Sequence, residues 1–364
     1  MSKSRSMSME KNMGMGGPVL VTGGSGFVGS WVVRELLEHG YRVRTTVRGE
    51  RGAYPYLSGL PGAGQLLELV QADLLVPGSF DAAVQGCGCV IHTASPYAIN
   101  VADPQRDLVD PALRGTESVL EACLKAPSVR RVVVTSSIAA IADHAESGHV
   151  FTEADWNSLS TVTRQPYHYS KTMAERQAWE LAGLAQGRFD LVTINPVMVT
   201  GPSLVPSLNT TNAMVRDIMN GVYPGVMDLN WSFVDVRDVA RAHRLAVETP
   251  DARGRNICAA GELHMREIVS LLREHGYAGY RLPKLDLSGK AGTWLMRLLS
   301  YTQPRDTALY IRLNIGEQKQ CDSSKIRQEL GMSFIPAADS LLAGVADMVR
   351  WGQLRPPGRL SRVL

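Results

Sequence analysis

The chain has 364 residues, 45% of them hydrophobic and 20% charged, a composition that suits a packed globular protein of roughly two domains. Its formal net charge is only +3 and it carries no basic stripe with interleaved aromatics, so a nucleic-acid partner is not expected. No apolar run approaches the ~18 residues of a membrane span, and five cysteines without metal-ligand spacing read as buried reduced thiols of a cytoplasmic protein.

Residues 1–16, rich in Ser, Met and Lys, lack the apolar segment of a secretory signal and read as a disordered tail. From residue 18, short apolar runs alternate with amphipathic stretches. "PVLVTG" reads as a strand, "GFVGSWVVRELLEHG" as a helix closed by Gly40, and "YRVRTTVR" as a second strand. "LLELVQADL", "CVIHTAS" and "VRRVVVTSS" are further strands, separated by "SFDAAVQG" and "GTESVLEACLKA". "YHYSKTMAERQAWELAG" is a helix, "FDLVTINPVMVTG" a strand, "PSLVPSLNT" a loop, and "FVDVRDVARAHRLAVE" a helix capped by Asp235 or Asp238. "GRNICAAGE" follows as a strand, then helices near 264–275, 289–301, 323–330 and 338–351.

Strands spaced by helices imply an α/β fold, a doubly wound parallel sheet of Rossmann type with a smaller C-terminal substrate-binding lobe. The expected nucleotide-binding domain is 17–201 plus 232–262, and the lobe is 202–231 plus 263–364.

"VTGGSGFVGS" sits between the first strand and the first helix. It fits both Gly24-x-Gly26-x-x-Gly29 and Gly23-x-x-Gly26-x-x-Gly29, the spacing at which backbone meets a pyrophosphate and the helix N-terminus supplies free N–H groups. Thr22, Gly23, Gly26, Phe27, Val28 and Gly29 are therefore candidate dinucleotide contacts. The second strand ends in Arg48, where NAD enzymes usually carry an acid; a guanidinium suits the 2′-phosphate of NADP(H), which is preferred over NAD(H). Arg44 is expected to share a face with Arg48, Arg51 is in reach, and Glu50 is the residue that could serve a free hydroxyl.

In "QPYHYSK", Tyr167 and Lys171 stand four apart, on one face of a helix. The stripe Tyr167, Lys171, Ala174, Ala178, Leu181 reads as the buried one, whereas Tyr169, Met173, Arg176, Glu180 turns to solvent, which selects Tyr167. A second match, Tyr280 with Lys284, is set aside because Pro283 opposes a helix there. A lysine cation beside a phenol lowers its pKa toward the working range of general acid–base catalysis. Ser136 and Ser137 end a central strand, where ligands of such sheets bind. His92 reads as a packing histidine.

"TGGSGFVG", "QADL", "HTASP", "VVVTSSIAA", "YHYSK" and "NPVMVTGP" occur in the order found in extended short-chain dehydrogenases/reductases, and about residues 18–260 resemble the dihydroflavonol 4-reductase and cinnamoyl-CoA reductase branch. The resemblance implies that Ser137 holds a carbonyl oxygen, Tyr167 donates the proton, and Lys171 binds the ribose and tunes Tyr167. It places Asp73 and Leu74 beside the adenine, Thr93, Ala94 and Ser95 along the cofactor, and Pro196 to Val199 at the nicotinamide. Tyr97, Ile138, Ala142 and Tyr223 are candidate substrate contacts. Two departures are visible: Ala142 replaces an amide-type side chain, and "QPYHY" replaces "NWYCY".

The implied activity is NADPH-dependent reduction of an aldehyde or ketone by a monomer or homodimer that holds no metal and takes a small-molecule carbonyl substrate. The alternatives are a nucleotide-sugar epimerase or dehydratase, a hydroxysteroid dehydrogenase/isomerase, and a non-catalytic NADP(H)-sensing protein.

Overall fold

In the computed structural model, which describes residues 16–95, 101–144, 148–302 and 305–354, the alternating apolar runs form one seven-stranded, all-parallel sheet. Its strands in chain order are β1 (Val19–Thr22), β2 (Val43–Val47), β3 (Leu67–Gln71), β4 (Cys89–His92), β5 (Arg131–Thr135), β6 (Asp190–Pro196) and, further along the chain, Gly254–Cys258. The spatial order is that last strand, then β6-β5-β4-β1-β2-β3. The chain therefore reverses its winding between β1 and β4, the crevice where ligands of doubly wound sheets bind.

Side-chain alternation explains why the sheet is covered on both faces. Val19 and Val21 enter one apolar cluster with Val33 and Leu36, whereas Leu20 enters the other with Val90, Val132 and Leu120. The first cluster is built on helices α1 (Phe27–Glu38) and Val236–Glu248, which pack on each other. The second is built on α2 (Asp110–Lys125) and α3 (Pro166–Gly183). Gly40 closes α1 at φ 80°, with its N–H on Leu37 O and the Tyr41 N–H on Leu36 O. Asp235 caps the Val236–Glu248 helix by accepting from the Arg237 N–H at 2.8 Å.

Several elements differ from the sequence reading. The run "FDLVTINPVMVTG" is two strands: after Pro196, which lacks an N–H to extend the ladder, β7 (Met198–Thr200) leaves the main sheet. It pairs with Asn230–Asp235 in a second, three-stranded sheet. "GRNICAAGE" likewise divides: Gly254–Cys258 joins the main sheet, and its last two residues begin Gly261–His264, the antiparallel edge of the small sheet. Helices also form over Thr210–Met219 and Arg305–Asn314, where none was expected. The first starts on two threonines, weak helix formers, and is held instead by burial of Val215, Ile218 and Met219.

A third apolar cluster lies apart from the main sheet. It joins Ile218, Met219, Trp231, Phe233, Ile268 and Leu341 among others. Within 263–364, however, Ile326, Leu330 and Met332 pack into the core of the main sheet. Cys87, Cys89, Cys123 and Cys258 are buried free thiols, and burial raises Cys87 to about 11 and Cys89 to about 12. Among the described residues, no helix is long and apolar enough to cross a membrane, and no group of three or more His, Cys, Asp or Glu is arranged to hold a metal.

Candidate active site

The glycine-rich turn leaves the C-terminal end of β1 at the reversal point. Gly23 has φ 70°, and a Cβ there would meet Ala94 Cα at 2.8 Å. A Cβ on Gly29 would lie 2.2 Å from Gly23 O, and one on Gly24 2.0 Å from Thr45 Oγ1. The turn is thus sealed by glycines on both spacings read from the sequence. Gly26 is the N-cap of α1 and supplies no side-chain acceptor, so no side chain caps the first-turn amides of α1. Such a turn fits a dinucleotide pyrophosphate.

Around the turn, Thr22 is fully buried. Its Oγ1 shares a hydrogen bond with His92 Nδ1 at 2.7 Å and accepts from the Ala94 N–H at 3.2 Å. Thr93 Oγ1 donates to Thr22 O at 2.6 Å. His92 is a structural histidine: burial, with Lys171 nearby, pulls it down to about 3. Asp73 is half-buried and closes its own turn, Oδ1 accepting from the Leu75 N–H at 2.9 Å, while Leu74 packs beside Gly115.

Arg48 is exposed just past the end of β2. The segment after it folds back on the glycine turn, because Tyr56 Oη donates to Ser25 O at 3.1 Å and Tyr54 Oη accepts from the Gly49 N–H at 2.9 Å. Arg44 does not join Arg48. It is tied to the opposite end of the sheet by Glu68 at 2.7 Å and by the carbonyls of Ala83 and Gln85, since β2 ends at Val47 and the strand periodicity does not reach Arg48.

Helix α3 presents Tyr167 and Lys171 together. Lys171 Nζ lies 5.8 Å from the Tyr167 ring centroid and donates to Ser95 Oγ at 3.0 Å. Desolvation lowers Lys171 to about 8. The deepest positions of α3 are Ser170, Thr172, Glu175 and Ala178; Tyr167, Lys171, Ala174 and Leu181 are half-buried. The stripe expected to be buried is therefore only partly so: Ala178 and Leu181 pack in the cluster shared with α2, while Lys171 and Ala174 line a small cavity against Ala112 and Thr116 of α2. Tyr280 and Lys284 lie on an irregular segment, not on one helix face.

The two serines at the end of β5 part company. Ser136 is buried and donates to the Glu175 carboxylate. Ser137 is half-buried and opens a short 3-10 turn, Ile138–Ala140, its Oγ accepting from the Ala139 N–H at 3.1 Å. That turn packs against α3. The same surroundings, His92, Ser95, Thr135, Ser136, Lys171 and Glu175, line a small cavity under Lys171.

Sequence reasoning missed the polar support behind these groups. Glu175, four residues after Lys171, also accepts from Arg255 Nε at 2.6 Å and Asn195 Nδ2 at 2.8 Å. Arg255 donates on to Ala140 O and stacks 3.8 Å from the Trp156 ring centroid; Asn195 donates to Ser137 O at 3.3 Å. The available signal was an arginine inside an apolar strand, "GRNIC", which demands a buried acid.

Among the remaining candidates, Pro196 ends β6 buried, and Val199 lies half-buried in β7 with its carbonyl accepting from Asn209 Nδ2. Ile138 is half-buried. Ala142, 6% exposed, packs into the main core, so its methyl serves packing there. Tyr223 packs against the third cluster. Tyr97 lies outside the described residues.

With this geometry in place, the comparisons with known proteins converge. Residues 19–260 match the NAD dependent epimerase/dehydratase family. The chain is 44% identical to the cinnamoyl-CoA reductase CAD2 of Medicago truncatula over 282 residues, 74% of this chain and 84% of that protein. It is 37% identical to the bifunctional dihydroflavonol 4-reductase/flavanone 4-reductase of Malus domestica, covering 73% and 78%. Among solved structures, Gre2 of Candida albicans in complex with NADPH superposes with a TM-score of 0.77 at 28% identity, covering 92% of this chain and 99% of that one. The chain belongs to the NAD dependent epimerase/dehydratase family, as an extended short-chain dehydrogenase/reductase related to the plant cinnamoyl-CoA and dihydroflavonol reductases.

Proposed function

We propose that this chain is an NADPH-dependent carbonyl reductase, converting an aldehyde or ketone to its alcohol. The observation that carries the reading is the pairing of Tyr167 and Lys171 on one face of α3, with Lys171 reaching Ser95 beside the glycine turn. The glycine-sealed, uncapped start of α1 would hold the pyrophosphate through the Gly26 to Gly29 backbone, with Thr22, Gly23, Thr93 and Ala94 shaping the groove. Asp73 and Leu74 would flank the adenine. Exposed Arg48 would hold the 2′-phosphate, which is why NADP(H) is favoured over NAD(H).

NADPH, when bound, would supply the hydride. Ser137 hydrogen-bonds the substrate oxygen, and Tyr167 donates a proton to that oxygen as negative charge develops on it. Lys171 favours the phenolate that Tyr167 leaves behind and would hold the ribose. Pro196 and Val199 shape the nicotinamide side. Residues 202–231 and 263–364 would close over the substrate, with Ile138 and Tyr223 on its apolar side. The buried free thiols suit a reducing compartment, the cytoplasm.

Tyr167→Phe removes the proton donor and keeps the ring. NADPH oxidation should fall by about a thousandfold or more, while NADPH binding, followed by fluorescence titration, stays within about threefold of wild type. Unchanged turnover would remove Tyr167 from the chemistry.

A further inference from the structure

Gln165 opens the helix that carries Tyr167 and Lys171. Its backbone sits at φ 55°, ψ 60°, the left-handed region that residues other than glycine rarely enter. The position is doubly unfavourable, because Pro166 follows and a residue before proline prefers extended backbone. Gln165 nevertheless acts as the N-cap, and its carbonyl accepts the first helical bond, from the Tyr169 N–H at 3.1 Å. Strain of this kind persists where the surroundings impose it.

The surroundings that impose it meet at Asp143. This carboxylate is 3% exposed and lies six residues after Ser137, just past the 3-10 turn. Gln165 Nε2 donates to Asp143 Oδ1 at 2.7 Å. Arg164 binds both oxygens, Nη1 to Oδ2 at 2.6 Å and Nη2 to Oδ1 at 3.0 Å. Ser160 Oγ donates to Oδ2 at 2.8 Å. Lys319 adds a further cation nearby, itself bonded to Asn314 Oδ1 at 3.0 Å. Burial alone would raise the carboxyl's pKa; Arg164 and Ser160 hold it below the usual range, so the clamp stays charged at neutral pH.

The segment leaving Ser137 and the segment entering Tyr167 are thus joined at one buried carboxylate. We propose that Asp143 is a positioning residue: by fixing Gln165 in its left-handed turn it sets the Tyr167 hydroxyl against Ser137. This rests on Tyr167 being the proton donor. Asp143 itself touches no reacting atom. Its effect is on the distance and angle of proton transfer, and hence on kcat rather than on cofactor affinity.

The test uses the full chain with NADPH and four probe carbonyls: benzaldehyde, diacetyl, ethyl pyruvate and acetophenone. Gln165→Ala removes the tether but keeps the Arg164 pair. Its kcat should fall about ten- to a hundredfold, with KM and NADPH Kd moving no more than about twofold. Asp143→Asn should lower kcat at least as far, and the double variant no further than Asp143→Asn alone. Ser160→Ala removes one bond to the same carboxylate and keeps the Gln165 tether; it should lower kcat clearly less than Gln165→Ala does. If Asp143→Asn does not fold, Gln165→Ala decides alone. Wild-type kcat in Gln165→Ala, beside an inactive Tyr167→Phe, would overturn the clamp and leave the catalytic reading standing. An equal loss of kcat in Ser160→Ala would also overturn it, as would an active Tyr167→Phe, which would take the catalytic reading down as well.

Discussion

In the proposed reaction Lys171 is the residue on which the proton chemistry turns, because desolvation and catalysis make opposite demands on it. Desolvation brings its pKa down to about 8, yet its favourable action on the Tyr167 phenolate requires a cation. The sign follows directly: Lys171 is charged below that value and loses its charge as pH rises through it. Reduction should therefore hold a plateau at neutral pH and decline above about pH 8, where Lys171 turns neutral and the proton on Tyr167 is held more tightly. A pH profile of kcat for NADPH oxidation checks this, and a rate that stays flat to about pH 10 would contradict it. His92 and His168, held neutral near 3 and 4 by burial, do not contribute to that profile above pH 5 or so.

At the scale of elements, the glycine turn was legible because each glycine answers a steric demand that sequence spacing records. Gly29→Ala would set a methyl 2.2 Å from Gly23 O and 2.8 Å from Thr93 Oγ1. It should cost about 1–3 kcal/mol of stability and weaken NADPH by roughly tenfold or more, measured by thermal melts and titration. Gly64→Ala is the control, with open space around the new methyl, and should be neutral. The main strands were legible for a similar reason, since burial on both faces leaves unbroken apolar runs such as "VVVT". What the sequence did not reveal depends on partners distant in the chain. Thr210–Met219 is helical because the third apolar cluster buries one face of it, not because its threonines favour helix. Arg44 was misplaced because its acid, Glu68, and its carbonyl acceptors lie on other elements. Glu175 and Asp143 were passed over because each looks like an ordinary surface acid until Arg255 or Arg164 is brought to it.

At the scale of the whole molecule, the main sheet delivers the glycine turn, Ser95 and the end of β5 to one edge, and α3 brings Tyr167 and Lys171 to that edge. This part of the arrangement carries the proposed class of reaction. The identity of the carbonyl is not fixed by that constellation, and the departures at Ala142, in the core of the main sheet, and in "QPYHY", at the start of α3, separate this chain from the plant reductases it otherwise resembles. The central claim is net reduction of a carbonyl at the expense of NADPH, as opposed to an epimerase's internal recycling of its nicotinamide. It is tested most directly by incubating the purified chain with NADPH and the aldehyde and ketone probes, and counting oxidised cofactor against alcohol. One NADPH should be consumed per alcohol formed, with NADPH used faster than NADH; conversion of substrate without net cofactor oxidation would contradict net reduction.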